Sequence, residues 1–300
     1  MTKIEHSPCF VAGEPDIRAC DAARLPAVLD NITVIQPRRG WVNVDWRELW
    51  SGRELLYFLV WRDIKVRYKQ TVIGAAWAIL QPVCTMVIFS LIFGAFAKIP
   101  SDGVPYPIFV YAGLLPWTFF SNAVSQSSQS LINQARLVTK IYFPRLFIPA
   151  SSIGVGLVDF ALSFVVYVGL MLWYSHVPGA SILLLPVLLM LTAVAALGTG
   201  IFMSSITVAY RDFRIVVPYM VQIWMYLSPV VYPTTIVPEQ FRWVMALNPM
   251  TGIIGGFRGV LLNQPVDWHA LGVAAIVSVV ILIAGICNFR RMERRFADIA

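Results

Sequence analysis

Between Lys69 and Lys98 the chain carries no charged residue, and several charge-free stretches of similar or greater length follow it. A bilayer core about 30 Å thick is crossed by about twenty helical residues rising 1.5 Å each, so such stretches are membrane-spanning candidates. Six spans are expected. The first runs from about Ala75 to Ala97. The second, from about Tyr106 to Val124, passes without a charge into the polar run SQSSQSLINQ, which reads as a helix leaving the membrane. From Leu146 to Tyr210 the only carboxylate is Asp159, and YSHVPGAS at 174–181 supplies the turn that splits this stretch into spans three and four. Span five covers about Ile215 to Val237 with Pro218, Pro229 and Pro233 in it, and span six about Ala270 to Cys287.

The connection from Pro238 to Trp268 holds two apolar pieces, FRWVMALN and MTGIIGGFRGVLL, meeting near Asn248-Pro249, each too short to cross. Backbone at membrane depth must be paired or face a water-filled cavity. Two re-entrant half-helices beside a pore are therefore expected, the alternative being a loop lying on the bilayer.

Composition agrees with this reading. Charged residues are 13% of the 300 positions, against about 25% in soluble domains. The net charge of +7 does not suggest nucleic acid, because the basic residues are scattered through short polar gaps. Eleven Lys and Arg precede span one, three lie between spans two and three, two between four and five and four after six. Only Lys98, Arg242 and Arg258 are left for the other side. This positive-inside bias places both termini in the cytoplasm of a multi-pass inner-membrane protein. The first forty residues hold no apolar core of the kind that precedes a cleavage site, so no signal peptide is expected. Cys9, Cys20, Cys84 and Cys287 have no metal-ligand spacing and read as reduced bystanders.

Ahead of span one, advancing 100° per residue puts Trp46, Trp50, Tyr57, Val60, Trp61, Ile64 and Tyr68 on one stripe, with Arg47, Glu54, Arg62, Lys65 and Lys69 opposite. Arg53 intrudes on the stripe, and Phe58 and Leu59 fall outside it. An aromatic stripe beside a basic face describes a helix lying in the membrane interface, in contact with lipid. The expected organisation is a polar extension at 1–40, this amphipathic helix at 41–70, a transmembrane domain at 71–288 and a basic tail at 289–300, all-α throughout.

No Gly-Lys dipeptide occurs, which excludes a Walker A loop, and HExxH, GxSxG and CxxC are absent. His6, His176 and His269 are far apart. An enzyme of the glycosyl- or acyltransferase kind would need an acid, base or nucleophile grouped at one membrane face, and only Asp159 approaches that.

The runs WRDIKVRYKQTVIGAAWAILQP (61–82), GLLPWTFF (113–120), LVTKIYFPR (137–145), YRDFR (210–214), SPVVYP (228–233) and ALNPM followed by FRGVLL resemble the permease subunit of ABC-2-type polysaccharide exporters. The resemblance covers roughly residues 40–290, in order. It implies a homodimer, without cofactor of its own, paired with an ABC ATPase subunit that holds ATP and Mg and drives export of an isoprenoid-lipid-linked glycan such as O-antigen, capsule or teichoic acid. An ABC-2 exporter of small hydrophobic molecules is the alternative within transport. The resemblance further implies that Arg136, Leu137, Lys140, Ile141, Tyr142 and Arg145 form a coupling helix docked in a groove of the ATPase, although the positive-inside rule alone also accounts for the charges. Arg62 and Lys65 are expected to touch the same partner or anionic headgroups.

Asp159, inside an apolar span, must face protein or water because an ionised carboxylate there costs about 2.5 to 3.5 kcal/mol on insertion scales. A structural hydrogen bond is the favoured role, ahead of lining a pore. Aromatic residues are dense along spans two and five, and most read as belt and core. Because sugar rings stack on aromatic faces, Trp117, Phe120, Tyr219, Gln222, Trp224 and Tyr226 are the candidates for a substrate path.

Overall fold

A computed structural model of the chain describes residue 50 and residues 52–69, 72–135 and 143–299, and among these residues all regular structure is helical. Among the described residues nine α-helices succeed one another: α1 Arg53–Lys69, α2 Val72–Phe89, α3 Tyr106–Asn133, α4 Phe147–Trp173, α5 Leu185–Ala209, α6 Phe213–Leu227, α7 Glu239–Ala246, α8 Pro249–Leu261 and α9 Trp268–Ile299. A π-helical turn, Ser90–Phe96, extends α2, and a 3-10 turn, Ala180–Leu184, leads into α5.

Proline chemistry sets several of these limits. Pro105, Pro238 and Pro249 lie at helix starts, where the missing N–H costs nothing. Asn248 caps α8 by accepting the Met250 N–H at 3.0 Å. α6 stops at Leu227 because Ser228, ahead of Pro229, is driven to extended backbone (φ −102°, ψ 145°).

Among the described residues five helices are long and apolar enough to cross a membrane: Ala76–Phe96, Tyr106–Asn133, Phe147–Trp173, Ala180–Ala209 and Trp268–Glu293. The expected fifth span is shorter than the sequence reading made it. Its helix covers only Phe213–Leu227, and the residues that follow are non-helical through Pro233. The apolar window of α3 is 78% buried while those in the first and last spans are only 17% buried, so α3 is the axis around which the others pack. The outward-facing Val, Leu and Ile of the peripheral helices suit a hydrocarbon solvent.

Without a hydrophobic drive in lipid, helices associate by close packing at small residues. A Cβ on Gly198 of α5 would lie 2.6 Å from the Leu282 backbone of α9, and one on Gly285 would lie 2.5 Å from the Gly198 carbonyl, so the two backbones meet directly. The polar run after span two continues α3 and is partly covered by neighbouring helices. Ser127, Ser128 and Ser130 are buried, and Gly200 of α5 lies against the Ser127 side chain. Ser128 and Ser130 satisfy their hydroxyls on carbonyls three residues back.

Between α6 and α9 the two short apolar pieces are helical but unequal. α8 is buried almost along its whole length, whereas α7 leaves Phe241, Trp243 and Val244 exposed. Residues 289–299 continue α9 as helix.

Candidate functional site

α1 was expected to turn its aromatic stripe to lipid and its charges to water. Trp50, Tyr57, Phe58 and Trp61 are indeed exposed, but they share that face with Arg53 and Lys65, whose cations lie 5.4 Å and 5.6 Å from the Trp50 and Trp61 rings. The opposite face is not a charged surface either. It packs Leu59 into a cluster with Leu131, Phe143, Leu146, Phe147, Ile148, Ile201 and Phe289.

Three contacts fasten this inner face to α4. Gly154 lies under Val60, closely enough that a Cβ there would be 2.5 Å from a Val60 methyl. Ser151 donates to Asp63 at 3.1 Å, and Arg62 grips the other Asp63 oxygen through Nη2 at 2.7 Å and Nε at 3.0 Å. Tyr68 donates its phenol to Asp159 Oδ1, while Arg67 Nη2 stands 2.9 Å from Oδ2 as an ion-pair partner. Burial, and then the bond to Asp159, push the Tyr68 phenol well above its ordinary range, so it remains a donor. The Asp159 side chain is 8% exposed and that of Arg67 32%, which puts the carboxylate inside the protein and its counter-ion at the edge. Of the expected coupling residues, Arg62 is thus held by Asp63 and Lys65 is free on the outer face over Trp61.

Arg136, Leu137, Lys140, Ile141 and Tyr142 lie outside the described residues. Arg145, next along the chain, reaches the Glu293 carbonyl of α9 at 3.4 Å. Phe143 and Leu131 belong to the same buried cluster, so both ends of this segment are anchored beside α1 and α9.

A second polar network occupies the break after α6. Residues 228–231 are buried, and their non-helical backbone needs partners from elsewhere. Arg258, from α8, donates Nη2 to the Val230 carbonyl at 2.7 Å and Nη1 to the Tyr232 carbonyl at 3.2 Å, with its guanidinium carbon 3.7 Å from the Phe109 ring centre. Tyr106 donates to the Val231 carbonyl between them at 2.7 Å. Asn248 completes the frame, donating to Ser228 Oγ at 2.8 Å and accepting from Trp224 Nε1 at 3.1 Å. The motifs SPVVYP, ALNPM and FRGVLL therefore meet in one network. The sequence placed Arg258 on the outer side within a re-entrant piece and Asn248 at the junction of the two pieces, without a partner for either. The signal for those partners was a buried proline-flanked break, which demands donors.

The candidate path residues separate into two groups. Trp117 and Phe120 are 3% and 0% exposed and pack in the core of a single copy. Trp224 is half-buried, edge-on to Phe120 at 5.2 Å and tied to Asn248. Tyr219, Gln222 and Tyr226 share an open face of α6 with Ile215 and Ile223, at spacings of one helical turn.

The family model described as ABC-2 type transporter matches residues 54–262, from α1 to the end of α8. The chain belongs to the ABC-2 type transporter family. It is 32% identical over 256 residues to the O-antigen export system permease protein RfbA of Myxococcus xanthus, covering 84% of this chain and 97% of that protein. The RfbA of Klebsiella pneumoniae is 27% identical over 247 residues, 82% of this chain and 95% of the relative. The polysialic acid transport protein KpsM of Escherichia coli is 23% identical over 239 residues, 77% and 91% of the respective chains. Both polar networks fall inside the ABC-2 match, whereas the extension at 1–40 lies outside it.

Proposed function

We propose that this chain is the permease subunit of an ATP-driven ABC exporter, carrying lipid-linked polysaccharide of the O-antigen or capsule kind across the inner membrane. The observation that carries the reading is near full-length similarity to permeases named for O-antigen export and for polysialic acid transport. Two copies form the conduit, and a separate ATPase binds ATP and Mg and docks on the segment from Leu131 to Arg145.

In this reading α6 is the fifth of six spans. Its 15 residues reach only about 22 Å at 1.5 Å each, so the buried segment 228–233 and the hairpin of α7 and α8 complete the crossing as re-entrant structure. The charge distribution supports cytoplasmic termini. The open face of α6 then lines the path, with Tyr219 and Tyr226 offering rings to passing sugars and Gln222 a hydrogen bond.

Deleting the gene is expected to strip the polysaccharide from the cell surface and leave lipid-linked polymer inside, with both reversed by a plasmid copy. Unchanged surface polymer in the deletion strain would refute the assignment.

A further inference from the structure

α1 and α4 are joined by more than apolar contact. Along α1, Val60, Asp63, Arg67 and Tyr68 engage Gly154, Ser151 and Asp159 of α4. A carboxylate only accepts hydrogen bonds, and the backbone N–H groups of the helix around Asp159 are already used, so its donors must come from another element. Here a hydrogen-bond donor, Tyr68, and an ion-pair partner, Arg67, come from adjacent positions of one helix. α4 is also the helix that the segment 134–146 enters directly, and α1 presents an open face carrying Arg53, Trp61 and Lys65.

We infer that Asp159 is a positioning residue: by holding Arg67 and Tyr68 it fastens α1 to α4, so that the surface helix and the third span move as one body when the cytoplasmic partner works. A displacement delivered at α1, or at the segment before α4, reaches the same helix either way. Without the clamp, α1 slides over Gly154 and the partner's motion is lost before it reaches the membrane. The inference rests on the proposed exporter reading for its partner, while the clamp itself concerns only this chain's helices.

The test is a crosslink across the joint, in a chain whose four native cysteines are replaced by Ser. A Cβ at 154 would lie 3.2 Å from Val60 Cβ, near the separation of about 3.5 to 4.5 Å that a disulfide spans. Val60→Cys with Gly154→Cys, reconstituted with the ATPase in vesicles, is expected to form the bond under mild oxidation and to keep both ATP hydrolysis and export of lipid-linked polymer. If oxidation arrests the cycle and dithiothreitol restores it, the helices must part and the inference fails. Should the reduced variant hydrolyse ATP but export no polysaccharide, the substrate reading fails. The clamp is then still decided by whether oxidation alters hydrolysis.

Asp159→Asn, Arg67→Gln and the double variant supply a second readout. Export is expected to fall about 5- to 150-fold, the usual range of coupling between sites, with ATP hydrolysis persisting. The double variant should lose no more than the worse single one. A merely structural role predicts instead that folded complex, hydrolysis and export decline together.

Discussion

Asp159 and Arg258 are both ionisable groups packed away from solvent, and they are satisfied in opposite ways. Asp159 stands on an unbroken helix and is met by a hydrogen bond from the Tyr68 phenol and an ion pair with Arg67. The Arg258 guanidinium meets the carbonyls of Val230 and Tyr232 and the face of Phe109. An intact helix has no spare backbone donors to offer a carboxylate, whereas a broken one has spare carbonyls to offer an arginine. The acid is therefore a joint between two helices, and the base is a splint for the break after α6. Exchanging side chains can rebuild a joint, but the splint depends on the two-pronged shape of arginine.

The largest expected effect follows from that shape. Arg258→Met orphans the buried Val230 carbonyl, at about 1 to 3 kcal/mol, and the part-buried Tyr232 carbonyl, so the purified protein should melt well below wild type or fail to accumulate. Arg258→Lys should recover part of this at most, since one ammonium does not reproduce the fork. Full recovery by Lys would reduce Arg258 to a plain charge and end the contrast.

At the other site Asp159→Ala strips Tyr68 of its acceptor and Arg67 of its ion-pair partner. Because Arg67 is about one-third exposed, water takes over part of its charge, and a loss of about 1.5 to 3 kcal/mol in thermal or denaturant unfolding is expected. A loss exceeding that of Arg258→Met would reverse the ranking of the two sites.

On α6 the contrast is between neighbours. Trp224→Ala removes a ring packed on Phe120 and bonded to Asn248, and about 3 kcal/mol of stability should go with it. Tyr219→Ala with Tyr226→Ala touches exposed positions and should change stability by no more than about 0.5 kcal/mol per site. Export by that pair should nonetheless drop, by up to about tenfold per lost ring if each stacking contact is worth about 0.5 to 1.5 kcal/mol. Normal surface polymer from a stable Tyr219/Tyr226 variant would remove α6 from the path.

Much of this arrangement was legible as charge spacing. The stretch without charge from 70 to 97, the turn at 174–181 and the two short pieces around Asn248-Pro249 all mark real helix limits. The need of Asp159 for a protein partner was legible too. Its identity was not, because α1 has two apolar faces, one against α4 and one open, and a single helical period averages them into one stripe. The partners of Arg258 were hidden by its place between spans, where a lone base counts only as a charge on the outer side. Trp117 and Phe120 show the same limit from the other side: aromatic density along a span does not reveal which rings the neighbouring helices cover. Ser228 ahead of Pro229 did carry the signal for the early end of α6, since a residue before proline leaves the helical region.

The most direct test of the account is transport in a defined system. Vesicles containing this chain and its ATPase, oriented with the ATPase outside, are given lipid-linked polysaccharide and ATP, and the polymer protected inside is measured. The account predicts protected polymer only when the chain, the ATPase and ATP are all present. Equal protection without the chain, or none with all three and an active ATPase, would contradict it.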